Sequence, residues 1–232
     1  PLYSSAASDV YKRQIEDMAA AAKEKFGLEY VAITDHTKSL TVAGGLDEKE
    51  LLDQADMIAE LNDRLDGFTI LSGAEVNIMK DGSLDITNNV LDKLDIVGAA
   101  IHSNFSQPIE VQTERLVKAA RNPSVDIIFH PTGRLLNRRE GYPVDINRLI
   151  EVAKDTGTAL EIDSHYDRLD LKDEHIRSAI QQGVKFVIDS DAHHPLHYAF
   201  LMFGIAQARR GWAGESDVLN TMQWDRLKRS LK

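Results

Sequence analysis

The chain has 232 residues, of which 27 are basic and 37 acidic, so its net charge is −10 at neutral pH. That length fits one α/β domain with a full hydrophobic core, and the acidic balance argues against broad non-specific binding to nucleic acid. The absence of cysteine excludes disulfides and thiolate metal sites and fits a reducing, cytoplasmic compartment. No run of about 18 apolar residues is found, so no membrane contact is predicted.

The first 14 residues have no apolar period, and we set them apart from the fold. The stretch Asp9–Gln14 reads DVYKRQ, which looks like the translated end of a transposon adaptor used to prepare sequencing libraries. A disordered tail or an expression scar is the alternative interpretation. We therefore predict a non-native, adaptor-like or disordered segment over residues 1–14 and a single domain over residues 15–232.

Helices and strands are predicted to alternate from residue 15 onward. Apolar residues at helical spacing indicate the helices, and Gly27, Gly157 and Gly183 mark three helix ends. The strands are nearly continuous apolar runs, as in a parallel sheet covered on both faces. The predicted elements are a helix over 15–26, a strand over 29–34, a helix over 47–65, strands over 69–78 and 95–101, a helix over 109–121, a strand over 126–129, a helix over 145–156, a strand over 159–163, a helix over 173–182, a strand over 185–189, and helices over 196–209 and 223–231.

Six parallel strands fit either an open, doubly wound sheet or a barrel that lacks one strand. In both folds, functional residues gather at the carboxyl ends of the strands. Five of the six predicted strands carry metal-ligand residue types at or just beyond that end. These candidates are His36, Glu75, His102, His130, Asp191 and His193.

A single histidine at a strand end is commonly a capped or surface residue. Four histidines at the same end of different strands, joined by two carboxylates, instead predict a metal site. Imidazole and carboxylate together suit Zn²⁺, Mn²⁺ or Fe²⁺. A bridging carboxylate allows two such ions to lie close together, the arrangement that activates water against a phosphoester.

Other polar residues near the strand ends have a weaker case. Arg134 is predicted to pair with a phosphate, and an ordinary salt bridge at the rim is the alternative. His165 ends the fifth strand, and the pattern leaves open whether it faces the pocket. Further histidines are expected at the surface or in support of the ligands, and further basic residues could form a positive rim. These are His175, His194 and His197, and Lys38, Arg138, Arg139 and Arg168.

The motifs at the strand ends resemble those of the PHP (polymerase and histidinol phosphatase) superfamily. They are ITDH at 33–36, GAE at 73–75, IHS at 101–103, HPTGR at 130–134 and DSDAHH at 189–194. Phrases outside these motifs resemble more closely the carboxyl-terminal PHP domain of bacterial and archaeal family X DNA polymerases. They include HTKSLTVAGGL at 36–46, HPTGRLLNRRE at 130–140, DRLDL at 167–171 and FGIAQARRGW at 203–212.

The resemblance implies a distorted (β/α)₇ TIM-like barrel that holds up to three metal ions, which favours the barrel over the open sheet. Domains of this type open with a strand bearing a His-x-His pair, followed by an aspartate. This sequence has neither, so we expect the first strand to be missing or replaced and the barrel to be open there, with two unpaired strand edges.

The resemblance also implies how the ligands are shared. One nearly complete metal site would use Glu75, His102 and His130. A second would use Glu75 and Asp191, and a third would use His36 and His193. The candidate catalytic residues are Glu75, Asp191 and Arg134.

Family members of this kind hydrolyse the 3′ end of DNA, favour Mn²⁺ and follow a polymerase region. We therefore expect a metal-dependent phosphoesterase, namely the 3′–5′ exonuclease or 3′-end processing domain of a family X DNA polymerase, here truncated at its amino terminus. Its expected cofactors are divalent metal ions, with Mn²⁺ ahead of Zn²⁺, Fe²⁺ or Mg²⁺. Its expected partners are DNA 3′ ends and the polymerase region of the parent chain.

Two alternatives remain at this stage. The first is a stand-alone phosphatase acting on a small phosphomonoester such as histidinol phosphate. The second is a catalytically impaired structural module, because the first metal motif is absent; this chain would then be weakly active.

Overall fold

The computed structural model describes residues 5–232. The strands are β1 (Tyr30–His36), β2 (Thr69–Asn77), β3 (Ile96–Ala100), β4 (Ile127–Ile128), β5 (Ala159–Asp163) and β6 (Phe186–Asp189). The helices are α1 (Ser5–Phe26), α2 (Glu48–Asn62), α3 (Asn88–Leu91), α4 (Ile109–Ala120), α5 (Ile146–Thr156), α6 (Asp173–Gln182), α7 (Leu201–Arg210) and α8 (Trp224–Lys228). Short 3₁₀ helices lie at Thr41–Ala43, Pro195–Phe200, Glu215–Asp217 and Leu219–Thr221.

Local sequence signals explain several of these boundaries. Asp47 caps α2 by accepting the amide protons of Lys49 and Glu50, and the Glu50 side chain accepts the Asp47 amide proton in return. Gly157 and Gly183 end α5 and α6 in the left-handed conformation that glycine adopts without strain. The predicted helix over 196–209 is divided into a 3₁₀ helix and α7, and the short helix α3 was not predicted.

The six strands form one parallel sheet in the order β1 to β6, curled into a half-barrel with helices between the strands. The predicted TIM-like α/β fold is therefore confirmed. Strand register places His36 of β1 opposite Glu75 of β2, and Asp163 of β5 opposite Asp189 of β6. Residues with metal-binding side chains thus meet at one end of the sheet.

The two faces of the sheet are packed differently. The larger core lies under the helices and includes Leu51 of α2, Leu116 of α4 and Leu149 of α5. The other face carries a smaller apolar cluster that includes Ile127 and Val187. Because side chains alternate along a strand, polar residues follow these apolar ones on the same face towards the carboxyl ends of the strands. The inner face is therefore apolar at one end and polar at the other.

The segment after α7 closes the apolar end of this inner face and covers the edge of β6. Val218 forms a parallel bridge with Phe186, and the Asn220 side chain bonds both the amide and the carbonyl of Ile188. The Tyr30 hydroxyl of β1 donates to the Met222 carbonyl at 2.9 Å. Strands β1 and β6 are not paired with each other. The expected opening is present, but the β6 edge is not left bare.

Helix α1 begins before the predicted helix. Residues 1–4 of the segment that we set aside lie outside the described residues, whereas 5–14 form the first turns of α1. The Tyr11 hydroxyl and the Gln54 amide both donate to the Asp35 carboxylate, which joins α1 and α2 to β1. The non-native origin of 1–14 stays a prediction. Over residues 5–232, none of the helices combines the length and the apolar character that crossing a bilayer requires.

Candidate metal centre

One carboxylate, that of Glu75, lies at the centre of the polar end of the sheet. Its Oε1 atom is 3.0 Å from His102 Nε2 and 2.8 Å from His130 Nε2. Its Oε2 atom is 3.1 Å from His36 Nδ1. Each histidine comes from the end of a different strand, β1, β3 or β4. The fold therefore brings four of the six predicted ligands into one group.

Burial and hydrogen bonds fix the charge states in this group. Burial alone would raise the pKa of Glu75, but the ring nitrogens of His102 and His130 outweigh it and hold that pKa well below its usual range. Burial lowers the pKa of His102, against the pull of the Glu75 carboxylate. At neutral pH the group therefore contains an ionised Glu75 facing a neutral His102.

Asn77, at the end of β2, determines which nitrogen of His102 carries the proton. The Asn77 amide group donates to the Thr37 carbonyl and to the Asp85 carboxylate, each at 3.0 Å, and both of these partners only accept. The Asn77 Oδ1 atom must then face His102 Nδ1, at 2.7 Å, and accept its proton. The lone pair of His102 is left on Nε2, pointing at Glu75.

This arrangement fits a bound cation. With His102 neutral, the lone pair of Nε2 faces an ionised oxygen of Glu75 at 3.0 Å, so this contact is favourable only with a proton on Nε2 or a cation between the two atoms. Two ligands bound to one metal at about 2.1 Å are themselves separated by roughly 3 Å, as these atoms are. His36, Glu75 and His102 each offer a donor atom within 4.8 Å of the others. His130 Nδ1 is buried without a hydrogen-bond partner among the described residues.

The two remaining predicted ligands lie differently. Asp191 is at the edge of the group, where its Oδ2 atom is 3.3 Å from Nε of Arg168. The His193 side chain is 64% exposed and its Nδ1 atom lies 2.9 Å from the Asp191 carbonyl. The structure thus does not bring His193 to Glu75. A ligand role for Asp191 and His193 stays a prediction.

Two of the candidate ligands have unusual backbone conformations. The backbone φ angle is +28° at His130 and +45° at Asp191, values that residues other than glycine rarely adopt. Both residues lie two positions beyond the end of a strand, β4 and β6 respectively. Such strain is concentrated at functional sites, where surrounding structure holds a side chain in a required direction.

Three carboxyl groups beside the histidines, two of them buried and that of Asp189 partly buried, were not predicted as part of the site. The Glu161 carboxylate accepts the backbone amide proton of His130 and is hydrogen-bonded to Asp189. Burial raises the pKa of Glu161 and of Asp163 well above their usual values, and that of Asp189 to about 7. Glu161 and Asp189 therefore share a proton. Their alternate spacing along β5 and β6, on the face that carries Glu75, was the signal that could have found them.

Arg168 balances the negative charge of this region. Its Nε atom is 3.3 Å from both Asp163 Oδ2 and Asp191 Oδ2. Burial opposes the charge, but these carboxylates outweigh it and raise the pKa of Arg168. The electrostatic influence of Arg168 extends to Glu75. From the sequence, Arg168 was expected only as one of several basic residues that could form a positive rim.

Arg134, the predicted phosphate contact, is buried against the backbone. Its Nε atom donates to the Arg168 carbonyl at 2.9 Å, and its Nη2 atom donates to the Leu169 carbonyl. These bonds hold the loop from which Arg168 reaches the site. Two of the donor groups of Arg134 are thus committed to the protein, and a direct contact with phosphate stays a prediction.

The remaining rim candidates are spread around the site. His165, which the sequence left open, lies on the rim beside Asp167, at 2.6 Å from Nδ1 to Oδ1. Lys38 pairs with Glu48. The Arg139 guanidinium lies over the ring of Phe105.

A parallel half-barrel with imidazoles and a buried carboxylate at the carboxyl ends of its strands defines a metal-dependent hydrolase site. No family model matches the chain. It is 46% identical over 218 residues to the DNA polymerase/3′-5′ exonuclease PolX of Bacillus subtilis, which covers 94% of this chain but 38% of that protein. It is 31% identical over 207 residues to a probable phosphatase of a Thermoanaerobacter species, which covers 85% of this chain and 80% of that protein.

A solved structure is also similar. The histidinol phosphate phosphatase of Lactococcus lactis, determined with zinc, L-histidinol and phosphate, matches 83% of this chain and 86% of its own with a TM-score of 0.55. At 14% identity, this likeness concerns the fold alone. The chain belongs to the PHP family of metal-dependent phosphoesterases. It spans well under half the length of its polymerase relative.

Proposed function

We propose that this chain hydrolyses the terminal phosphodiester bond at the 3′ end of DNA in a reaction that depends on a divalent metal. The observation that carries the proposal is the Glu75 carboxylate, which faces three imidazoles at 2.8–3.1 Å from the ends of three different strands. Groups of this kind serve metal-assisted hydrolysis. The 46% identical polymerase and exonuclease supports DNA as the substrate.

We assign the metal-holding role to His36, Glu75, His102 and His130, with Asp191 and His193 as further candidates. A bound divalent ion would polarise a phosphoryl oxygen and lower the pKa of water. Nitrogen and oxygen donors without thiolate accommodate both Mn²⁺ and Zn²⁺. We favour Mn²⁺ because of the resemblance to the polymerase domains, while zinc in the histidinol phosphate phosphatase supports the alternative.

The surrounding residues have supporting parts in this proposal. Asn77 holds the His102 proton on Nδ1, so that Nε2 stays free to bind. The Glu161 carboxylate accepts the backbone amide proton of His130 and so holds the backbone at that residue. Arg168 offers a guanidinium between Asp163 and Asp191, and we propose that it stabilises the added negative charge of a bound phosphate. A polymerase region as a partner is a proposal that rests on the same relative.

The second candidate is a phosphatase that acts on a small phosphomonoester. The probable phosphatases support it, because they match the chain over most of their own length. The two candidates use the same metal group and differ in what must bind next to it. They are therefore separated by the substrate and not by the metal.

The test compares two substrates with one preparation of the chain. With Mn²⁺ present, we expect release of mononucleotides from the 3′ end of a 5′-labelled oligonucleotide, and we expect the substitution Glu75→Gln to abolish it. Hydrolysis of histidinol phosphate or p-nitrophenyl phosphate without any action on DNA would favour the phosphatase. Metal binding by calorimetry with no hydrolysis of either substrate would instead indicate a structural module.

A further inference from the structure

A cluster of aromatic rings lies on the rim of the metal centre. We call it the aromatic rim, and it consists of His165, Tyr166, His197 and Phe200. The rings of His165 and Tyr166 are stacked with centroids 4.7 Å apart, and Phe200 lies 5.3 Å from Tyr166 at a steep angle. His197 stacks on Phe200 at 4.9 Å. These contacts hold the Tyr166 ring from one side.

The Tyr166 ring nevertheless remains open to solvent. It is 57% exposed. A large aromatic residue that is fixed by stacking and yet exposed offers a rigid flat surface to another planar group. Its two ring neighbours, His165 and Phe200, are partly buried and lie 5.2 Å apart.

The aromatic rim is joined directly to the metal centre. The Arg168 amide donates to the His165 carbonyl at 2.9 Å, which forms one turn around Tyr166. From the end of that turn, Arg168 reaches Asp191. The His193 amide donates to His197 Nδ1 at 3.3 Å. The turn that carries Tyr166 therefore also carries Arg168 to the edge of the metal centre.

A positive charge lies beside the same turn. The Arg138 side chain is 72% exposed, and its closest acidic neighbour is Oδ2 of Asp167 at 3.9 Å. The Leu136 amide donates to the Asp167 carbonyl at 2.6 Å, which fixes the two loops together. An exposed, weakly paired arginine beside an exposed aromatic ring complements a nucleotide, which has both a planar base and a charged phosphate.

We propose that Tyr166 is a stacking platform for the terminal nucleobase of a single-stranded DNA 3′ end, with Arg138 placed to pair with the adjoining phosphate backbone. This inference rests on the proposed function and names the part of its substrate that the metal group does not touch. A phosphomonoester without a base would gain nothing from this surface. Tyr166 is thus a specificity residue for nucleotide substrates.

The experiment measures binding rather than hydrolysis. A fluorescein-labelled oligonucleotide carries a phosphorothioate at its last linkage to suppress cleavage, and a matched oligonucleotide lacks only the terminal base. Fluorescence anisotropy in Mn²⁺ gives Kd for both with the wild type, Tyr166→Ala and Tyr166→Phe. Trp212→Ala is the control, because it removes a ring that is 69% exposed but is contacted by Arg177.

We expect Tyr166→Ala to weaken binding of the complete oligonucleotide roughly 5- to 150-fold, and Tyr166→Phe to restore most of it. Loss of the terminal base should weaken binding by the wild type to a similar extent, and Tyr166→Ala should add nothing further. Equal weakening of both oligonucleotides by Tyr166→Ala, or no weakening, would overturn the inference. If the wild type cleaves DNA but Tyr166→Ala leaves both Kd values unchanged, the proposed function stands and the platform does not. If DNA is neither bound nor cleaved, both fail.

Discussion

Asn77 accepts the Nδ1 proton of His102 across 2.7 Å, and this contact decides the direction of the His102 lone pair. Asn77 is itself held by Thr37 and Asp85, so its amide cannot turn over without placing oxygen against oxygen. A histidine that binds metal commonly donates its second ring proton in this way, which orients the ring and raises its affinity.

Replacing Asn77 with alanine is expected to weaken metal binding about 10- to 100-fold, because His102 is then free to carry its proton on Nε2. Isothermal titration with Mn²⁺ or Zn²⁺ measures this. Asn88→Ala, which removes an exposed asparagine, is the matched control. Because Asn77 is buried, thermal unfolding of the metal-free variants is recorded in parallel. Wild-type affinity in a folded Asn77→Ala protein would contradict the assignment.

The substitution Glu75→Gln removes the negative charge at the centre of the metal group and keeps a side chain of the same size. The glutamine side chain keeps a hydrogen-bonding group beside His102 but loses the charge that attracts a cation. We expect the metal-free variant to be less stable than the metal-free wild type by about 1–3 kcal/mol, because the low pKa of Glu75 means that the folded state favours the carboxylate. We also expect the rise in Tm on adding Mn²⁺ to disappear.

Differential scanning calorimetry with and without metal measures both effects. Glu24→Gln, an exposed change on α1, serves as the control and should keep the full rise in Tm. A Glu75→Gln protein that still gains the wild-type increase would show that the ion binds elsewhere.

Arg134→Ala is expected to destabilise the fold by about 2–3 kcal/mol, because the carbonyls of Arg168 and Leu169 lose a charged donor. Arg134→Lys should recover less than half of this, since one ammonium group cannot reproduce the forked geometry. Urea unfolding measures the difference. Arg64→Ala, which removes an exposed ion pair with Glu16, should change stability by less than about 1 kcal/mol. Unchanged stability with weaker phosphate binding would favour the phosphate role instead.

The raised pKa of Asp189 predicts how the stability of the metal-free protein depends on pH. Burial raises its pKa from 3.8 to about 7, so between these values the folded state holds a proton that the unfolded state has released. Stability is therefore greatest at the acid end of this window, falls as pH rises through it, and is fully reduced above about pH 7. Asp189→Asn removes this titration and keeps a hydrogen-bond partner for Glu161.

We expect Asp189→Asn to stabilise the metal-free protein by about 1–3 kcal/mol at pH 8 and by much less at pH 4.5. Thermal unfolding at several pH values, with EDTA present, measures this. Asp155→Asn, which neutralises an exposed carboxylate on α5, should show no comparable dependence. The same gain at both pH values would mean that the Glu161 and Asp189 pair does not share a proton.

The sequence alone located the strands and the residues at their ends. Apolar runs separated by helical patterns predicted six parallel strands, and parallel strands must place their carboxyl ends together. The approach of His36, Glu75, His102 and His130 to one another follows from that rule. Their residue types also limited the chemistry, because imidazole and carboxylate select divalent metals.

Only the tertiary structure decided how these residues are supported. The contact of Asn77 with His102, the bond from His130 to Glu161 and the burial of Arg134 beneath the Arg168 loop each join residues on different elements. The same is true of the exposed Tyr166 ring, whose supporting partner Phe200 comes from the loop after β6. Strand periodicity tells which face of the sheet a side chain is on, but not which atoms of two distant segments come within hydrogen-bonding distance. That distance is set by strand register and by the packing of loops against one another.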